Sequence, residues 1–297
     1  MSARQDRRDK FASRAVQIGF IVGLLTFWYL GTAFWGISPL LLPNPVKVWH
    51  ELKDVLGSGE YLPDLQITLT ELAVAFSISC TSGVTLGYLI SRSQYSIKVF
   101  EPLLAGVYSV PIILFLPLFV LFFGLGPGSK IAIGTSISFF PIVLNTIAGF
   151  GYVDKIFITA ARSMGASDVQ MFRYVLLPAA FPVILTGLRI GFTVALLSIL
   201  GSETIASLVG LGHKIVHLVE AMETARMFAY IAFAVVIAAL LNTVVSSLER
   251  KAKRRWAASW PSRRFYCAVR RWRGYWCLWR CFYSGRYPRV GGSIRCS

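Results

Sequence analysis

The ionisable and amide side chains set into apolar runs are where chemistry or recognition would begin. Arg189 is the one charge in the run 174–202, and a charge at that depth is costly unless it is paired or faces a water-filled cavity. It is therefore a candidate for a pathway role or a structural ion pair, or for snorkelling to an interface if the span starts late. Glu203 follows at the end of the same run, ahead of "TIASLVGLG", where it can shape a pathway or stand as a solvated helix-end charge. Asn145, in "PIVLNT", offers an amide to a polar solute or, more simply, to interhelical packing. His213 and His217 lie four apart without a carboxylate trio, and Cys277 and Cys281 lack a second pair and a tail histidine, so no metal site is expected. No Ser-His-Asp, paired-carboxylate or Cys-His constellation stands out, which argues against an enzyme. The chain has no Gly-Lys dipeptide and hence no phosphate-binding loop; any nucleotide energy has to come from a separate chain.

The elements that must carry these residues are membrane helices. Of 297 residues 55% are hydrophobic, the mean hydropathy is +0.62 and only 15% are charged, more apolar surface than one soluble core can hide. Asp, Glu, Lys and Arg are absent from 15–46, 72–91, 102–129, 131–153 and 227–248, and 174–202 is broken by Arg189 alone. A helix rising about 1.5 Å per residue crosses about 30 Å of hydrocarbon in about 20 residues, so each run can hold one crossing. The expectation is an all-α integral membrane protein with about six transmembrane helices, near 16–37, 67–91, 103–125, 131–150, 181–202 and 227–248, within a transmembrane domain 15–250. The N-terminal segment 1–14, with Arg4, Arg7, Arg8, Lys10 and Arg14, reads as cytoplasmic, followed by a retained first span rather than a cleaved signal. Lys130 then falls in a short external link and Glu71 begins the second span from outside. Val46, Trp49, Leu52 and Leu56 recur at helical spacing, which suits a short interfacial helix or a plain connector. Pro111 and Pro117 predict a kink in the third span.

Between the fourth and fifth spans lies an amphipathic segment, 154–178. Asp154 to Met164 reads as a short helix with Ile156, Ala160 and Met164 on one face and Phe157 and Ala161 beside them. Gly165 can take the left-handed conformation that ends it, Ser167 or Asp168 can cap a second helix, and Leu177-Pro178 stops that one. Small residues at its centre let another surface approach the backbone, so the segment suits docking into a groove on a partner; a plain interfacial loop is the competing reading.

The spacing Ala160-Ala161, three residues, Gly165, nine residues, Val175-x-Leu177-Pro178 resembles the Glu-Ala-Ala loop of inner-membrane permease subunits in binding-protein-dependent ABC importers. "LLPNPVKVWHEL", "SVPIILFLPLFVLFFGLGPGSK", "FFPIVLNTIAG", "LTGLRIGFTVAL" and "GSETIASLVGLGHKI" resemble the branch that handles nitrate, aliphatic sulfonates and taurine. The resemblance covers roughly residues 40 to 250 in family order. It implies a MetI-like permease core with a cytoplasmic coupling helix, in which Thr159, Ala160, Ala161, Gly165, Leu177 and Pro178 form the ATPase-coupling loop. It also implies a second copy of the permease, two ABC ATPase subunits and an extracytoplasmic solute-binding protein as partners. No cofactor is expected in this chain, with ATP and Mg on the partner ATPase, and the location implied is the bacterial cytoplasmic membrane. Thr159 stands where the motif has glutamate, so that residue's share of docking is absent or replaced. A non-transporting membrane scaffold and an ion-coupled secondary transporter are the alternatives from other classes.

The net charge of +16 belongs to the tail: residues 250–297 carry 14 bases and no acid. Segment 251–297, rich in Trp and Arg, lies outside the resemblance and is expected to be poorly ordered beyond roughly Ala257, an altered reading frame rather than a lipid-binding or RNA-binding arm; no nucleic-acid partner is expected.

Overall fold

The computed structural model describes residues 16, 19–20, 22–24, 26–34 and 38–259. Among these every regular element is helical: α1 (Val22–Phe34), α2 (Pro45–Ser58), α3 (Leu62–Ser91), α4 (Gln94–Tyr108), α5 (Leu116–Phe123), α6 (Pro127–Gly151), α7 (Lys155–Ser163), α8 (Asp168–Met171), α9 (Leu177–Ala206), α10 (Leu211–Glu220) and α11 (Thr224–Ser259). The chain divides after Lys251 into two units, the second beginning at Ala252; within it the end of α11 is described, and the expectation of low order in the tail falls on residues outside the described ones.

Four stretches are long and apolar enough to cross a membrane: α3, α6, the stretch Asp168–Glu220 from α8 through α10, which turns between Ala206 and Leu211, and α11. A fifth is broken. α4 and the stretch Ile112–Phe123 meet at 70°, and the break falls at Pro111, whose ring fixes φ and removes a helix N–H. Pro117 sits in the first turn of α5, where a missing N–H costs nothing, and makes no kink. The span expected at 16–37 lies partly outside the described residues. The charge-free windows understate the helices, since α3 begins at Leu62 and α9 at Leu177.

The centre of the fold is α6, which packs against both α3 and α9, and these two also meet each other through Leu72, Ala75, Ala195, Leu196 and Ile199. Small residues make the α6 contacts close: the buried stripe of α3 runs Thr68, Leu72, Ala75, Ser79, Gly83, Gly87 and Ile90 at three- and four-residue steps, with Glu71 buried beside Leu72. Ala75 meets Gly134, Gly83 meets Ile142 and Gly87 meets Thr146, so α3 and α6 run parallel. Gly134 meets Ile199, Ile142 meets Gly191 and Gly149 meets Ala180, so α9 runs back antiparallel. Consequently the starts of α3 and α6 and the end of α9 share one end of the core, and α7 and α8 lie at the other.

In α2 the residues that pack inward are Val48 and Val55, the latter against Leu218 and Tyr230. Val46, Trp49 and Leu56 point outward, with the Lys53 ammonium over the Trp49 ring at 5.4 Å.

Candidate functional site

The segment between α6 and α9 folds as two short helices joined at Gly165. Asp154 starts α7, its carboxylate accepting the Ile156 N–H at 3.0 Å. Gly165 ends it at φ +76°, with the Ala166 N–H donating to Ala161 O at 3.1 Å and the Gly165 N–H to Arg162 O at 2.9 Å, the paired bonds of a Schellman turn. Of the two possible caps for α8 the chain uses Ser167: its hydroxyl accepts the Gln170 N–H while the Gln170 side chain accepts the Ser167 N–H.

α7 has two faces of different character. Lys155, Ile156, Thr159, Ala160 and Ser163 line an open depression on its outward side. Ala161 is 3% exposed and belongs to the inward face, so of the two alanines expected to receive a partner it is Ala160 that is presented. Ala161 instead allows α7 to sit close to its own neighbours. Thr159 lies on the presented face, so the difference from the motif's glutamate is at the surface.

Leu177 and Pro178 do not stop a helix, as their spacing predicts; they open α9. The preceding residues Phe172–Leu176 form a π turn in which the Leu177 N–H donates to Phe172 O. A π turn is wider than an α turn, and that extra room is what a proline ring needs beside the carbonyl of the preceding turn. The helical path from α8 into α9 is thereby unbroken, and Phe172 is held in an aromatic cluster with Tyr88 of α3 and Phe150 of α6. α8, the π turn and α9 therefore form one helical path, with α7 set off from it by the Gly165 turn.

Residues 83–257 match the family model described as "Binding-protein-dependent transport system inner membrane component". The chain belongs to that family. It is 33% identical over 241 residues to the taurine transport system permease protein TauC of Escherichia coli (strain K12), covering 80% of this chain and 88% of TauC. It is 31% identical to the putative aliphatic sulfonates permease SsuC of Bacillus subtilis (strain 168), covering 77% of this chain and 83% of that one. With the riboflavin permease RibX of Chloroflexus aurantiacus it shares 30% identity over 80% of this chain and 88% of RibX. Its fold is similar to that of an amino acid ABC transporter solved with histidines (TM-score 0.56, 22% identity, 69% of this chain and 97% of that one). It is also similar to the MetNI methionine ABC transporter (TM-score 0.53, 20% identity, 63% and 93%). The chain is thus the permease subunit of an ABC importer, a multi-pass inner-membrane protein whose ATP is hydrolysed on a separate subunit and whose partners include that ATPase and a binding protein.

The remaining polar residues of the permease sort by what they touch. Asn145 donates to Pro141 O on its own helix at 2.8 Å and packs on Gly187 of α9, a packing role. Arg189 pairs with Glu249 of α11 at 3.4 Å, and Thr186 donates to the same carboxylate at 3.4 Å, so Arg189 ties α9 to α11. Glu203 is 1% exposed and knots three elements together. Its Oε1 accepts the Thr68 hydroxyl at 2.7 Å and its Oε2 the Gly212 N–H at 2.8 Å, while Thr68 accepts the Leu211 N–H at 3.2 Å. Gly210, at φ +103°, lets the turn into α10 wrap the carboxylate, where a Cβ would collide with it. The charge-free runs predict Lys130 in an external link and Glu71 at the start of a span; the structure buries both, Lys130 at 0% and Glu71 at 2% exposure. Thr68 and Glu249 carry no sequence signal, because their partners lie 135 and 60 or more residues away.

At the same end, outside the spans, Glu60 pairs with Lys214 at 2.8 Å and with Arg226. The Lys214 hydrogen bond, opposed by some burial and helped by both cations, holds the Glu60 carboxyl below its ordinary range. A depressed carboxyl stabilises the fold at and above the ordinary range and loses that contribution as pH falls through its own lower value. Glu60→Gln is therefore expected to lower the thermal midpoint at neutral pH and to match wild type in acid, a convergence that paired melting curves in detergent at the two pH values check.

Proposed function

We propose that the permease imports a small organic anion of the sulfonate or taurine class, with nitrate as the inorganic member of the same group. It acts as a homodimer with two ATPases docked on the outward face of α7. What carries the mechanical part is the geometry at α7: a presented face with Ala160 at its centre, a rigid Schellman turn behind it, and an unbroken helical path into α9. Closure of the ATPases on nucleotide displaces α7 and α8, and α9 transmits that displacement to its antiparallel packing against α6.

In this reading the α7 end is cytoplasmic, as is the N-terminus, and the α10 end faces the binding protein. Support for the orientation is the excess of bases in the connections assigned inside, Arg92, Lys98, Lys155, Arg162 and Arg173, against the acid-balanced longer connections at the other end, where Lys130 is buried within α6. The solute class rests on the identity to TauC and SsuC. RibX, at 30%, marks the competing class of larger ring solutes. Uptake of labelled taurine, an alkanesulfonate, nitrate and riboflavin by cells carrying the complete system tests the assignment: accumulation of the sulfonates is expected, and accumulation of riboflavin alone would overturn it.

A further inference from the structure

The α10 end of the core holds a charge arrangement that transport does not explain. Glu71 of α3 is 2% exposed, and both its oxygens lack a hydrogen-bond partner among the described residues. The polar group within its reach is the Glu203 carboxylate of α9, also buried and already accepting from Thr68 and Gly212. Two carboxylates offer each other acceptors and no donor. The Lys130 ammonium of α6, fully buried, donates to Leu125 O and Gly126 O and acts on both carboxylates from beside them. With both acids ionised the trio carries one uncompensated negative charge in a site closed to water, a state that proteins avoid by pairing or by neutralisation.

We propose that Glu71 and Glu203 bind one proton between them, forming a carboxylic acid–carboxylate pair whose remaining charge is balanced by Lys130. The proton supplies the missing donor: Glu71 as the acid gives its O–H to Glu203, which keeps its bonds to Thr68 and Gly212. It also makes the trio neutral. A metal cation fits less well, since among the described residues no three His, Cys, Asp or Glu side chains stand together as ligands and an ammonium already occupies the neighbourhood. The other charged group acting on the pair is Asp64 of α3, which accepts the Gly210 N–H at 3.2 Å. α10 contributes only the backbone N–H groups of Leu211 and Gly212 to the knot. The pair joins α3 to α9 where the turn into α10 is anchored, so losing the proton sets two like charges against that anchor.

Infrared spectroscopy of the full chain in nanodiscs at neutral pH tests the site without reference to transport. A protonated-carboxyl C=O band is expected in wild type, lost in Glu71→Gln and in Glu203→Gln. Glu71→Gln, whose amide presents the same neutral donor and acceptor, is expected to keep the wild-type thermal midpoint near neutrality. Because the folded state binds one more proton than the unfolded chain, wild-type stability should fall as pH rises into the alkaline range, and that of Glu71→Gln should not. Absence of the band in wild type overturns the proposal whether or not either variant accumulates. So does a midpoint that follows sodium or potassium concentration instead of pH, which would mean an ion fills the site.

Discussion

Gly165→Pro is expected to abolish ATPase coupling while the chain still inserts and accumulates. The Gly165 backbone sits at φ +76°, which proline, fixed near −65°, cannot adopt, and its N–H donates to Arg162 O, a bond proline cannot make. The penalty, about 3 kcal/mol or more by analogy with proline in helices, falls on one turn and not on the α3, α6 and α9 core. Gly165→Ala separates conformation from bulk: a Cβ there would meet nothing within 4 Å, so its cost is the left-handed backbone alone, about 1–2 kcal/mol, and partial coupling should survive. Ala161→Arg drives a charged side chain into the buried face of α7 and should disconnect α7 as completely as the proline does. Co-purification of the partner ATPase with each variant, read beside solute uptake, gives the order wild type, Gly165→Ala, then the other two. Wild-type uptake in both Gly165→Pro and Ala161→Arg would remove the coupling role from this segment.

Gly191→Leu should instead prevent folding. A Cβ at Gly191 would lie 2.6 Å from Ile142 Cγ1 and 3.2 Å from Ser138 O, so the obstacle includes backbone as well as a side chain. Alanine alone is expected to cost about 1–3 kcal/mol through overpacking. A leucine has to push α6 and α9 apart, and Asn145 against Gly187, one turn away, leaves no slack, since a Cβ at Gly187 would lie 2.5 Å from Asn145 Cβ. Membranes carry no compensating hydrophobic drive between helices, so close small-residue contact is the attraction itself. Loss of the monodisperse folded peak in detergent is the expected result, with the exposed Leu197 on the same helix as control: Leu197→Val should stay within about 0.5 kcal/mol of wild type. A Gly191→Leu protein with the wild-type thermal midpoint would contradict the packing described.

These two expectations differ in how far the sequence alone supports them. Gly165 was legible because a turn announces itself locally: a glycine between two short amphipathic stretches, followed by a capping serine, needs no distant partner. The apolar runs were legible for the same reason. Pro178 was misread as a stop because proline ends most helices, and the π turn that accommodates it shows only in backbone geometry. Lys130 and Glu71 are read as lying at span ends because charge-free windows push every charge to an outside end, and the uncharged Thr68 gives no signal at all. Here the charges are accommodated by groups on other helices, and no spacing within one helix encodes a contact between residue 68 and residue 203. Ala161 shows the limit of a helical wheel: it finds a face with small residues and leaves open which of Ala160 and Ala161 turns inward.

In the proposed function an external binding event reaches a cytoplasmic ATPase through α7, α8 and α9 of this permease. The most direct test of this is ATP hydrolysis by the assembled permease and ATPase in nanodiscs, measured with and without solute-loaded binding protein. Stimulation of hydrolysis by the loaded protein in wild type and its loss in Gly165→Pro, with the ATPase itself still active in solution, is the predicted result. A stable complex whose hydrolysis ignores the binding protein would contradict it and leave the chain as a membrane anchor for the ATPase.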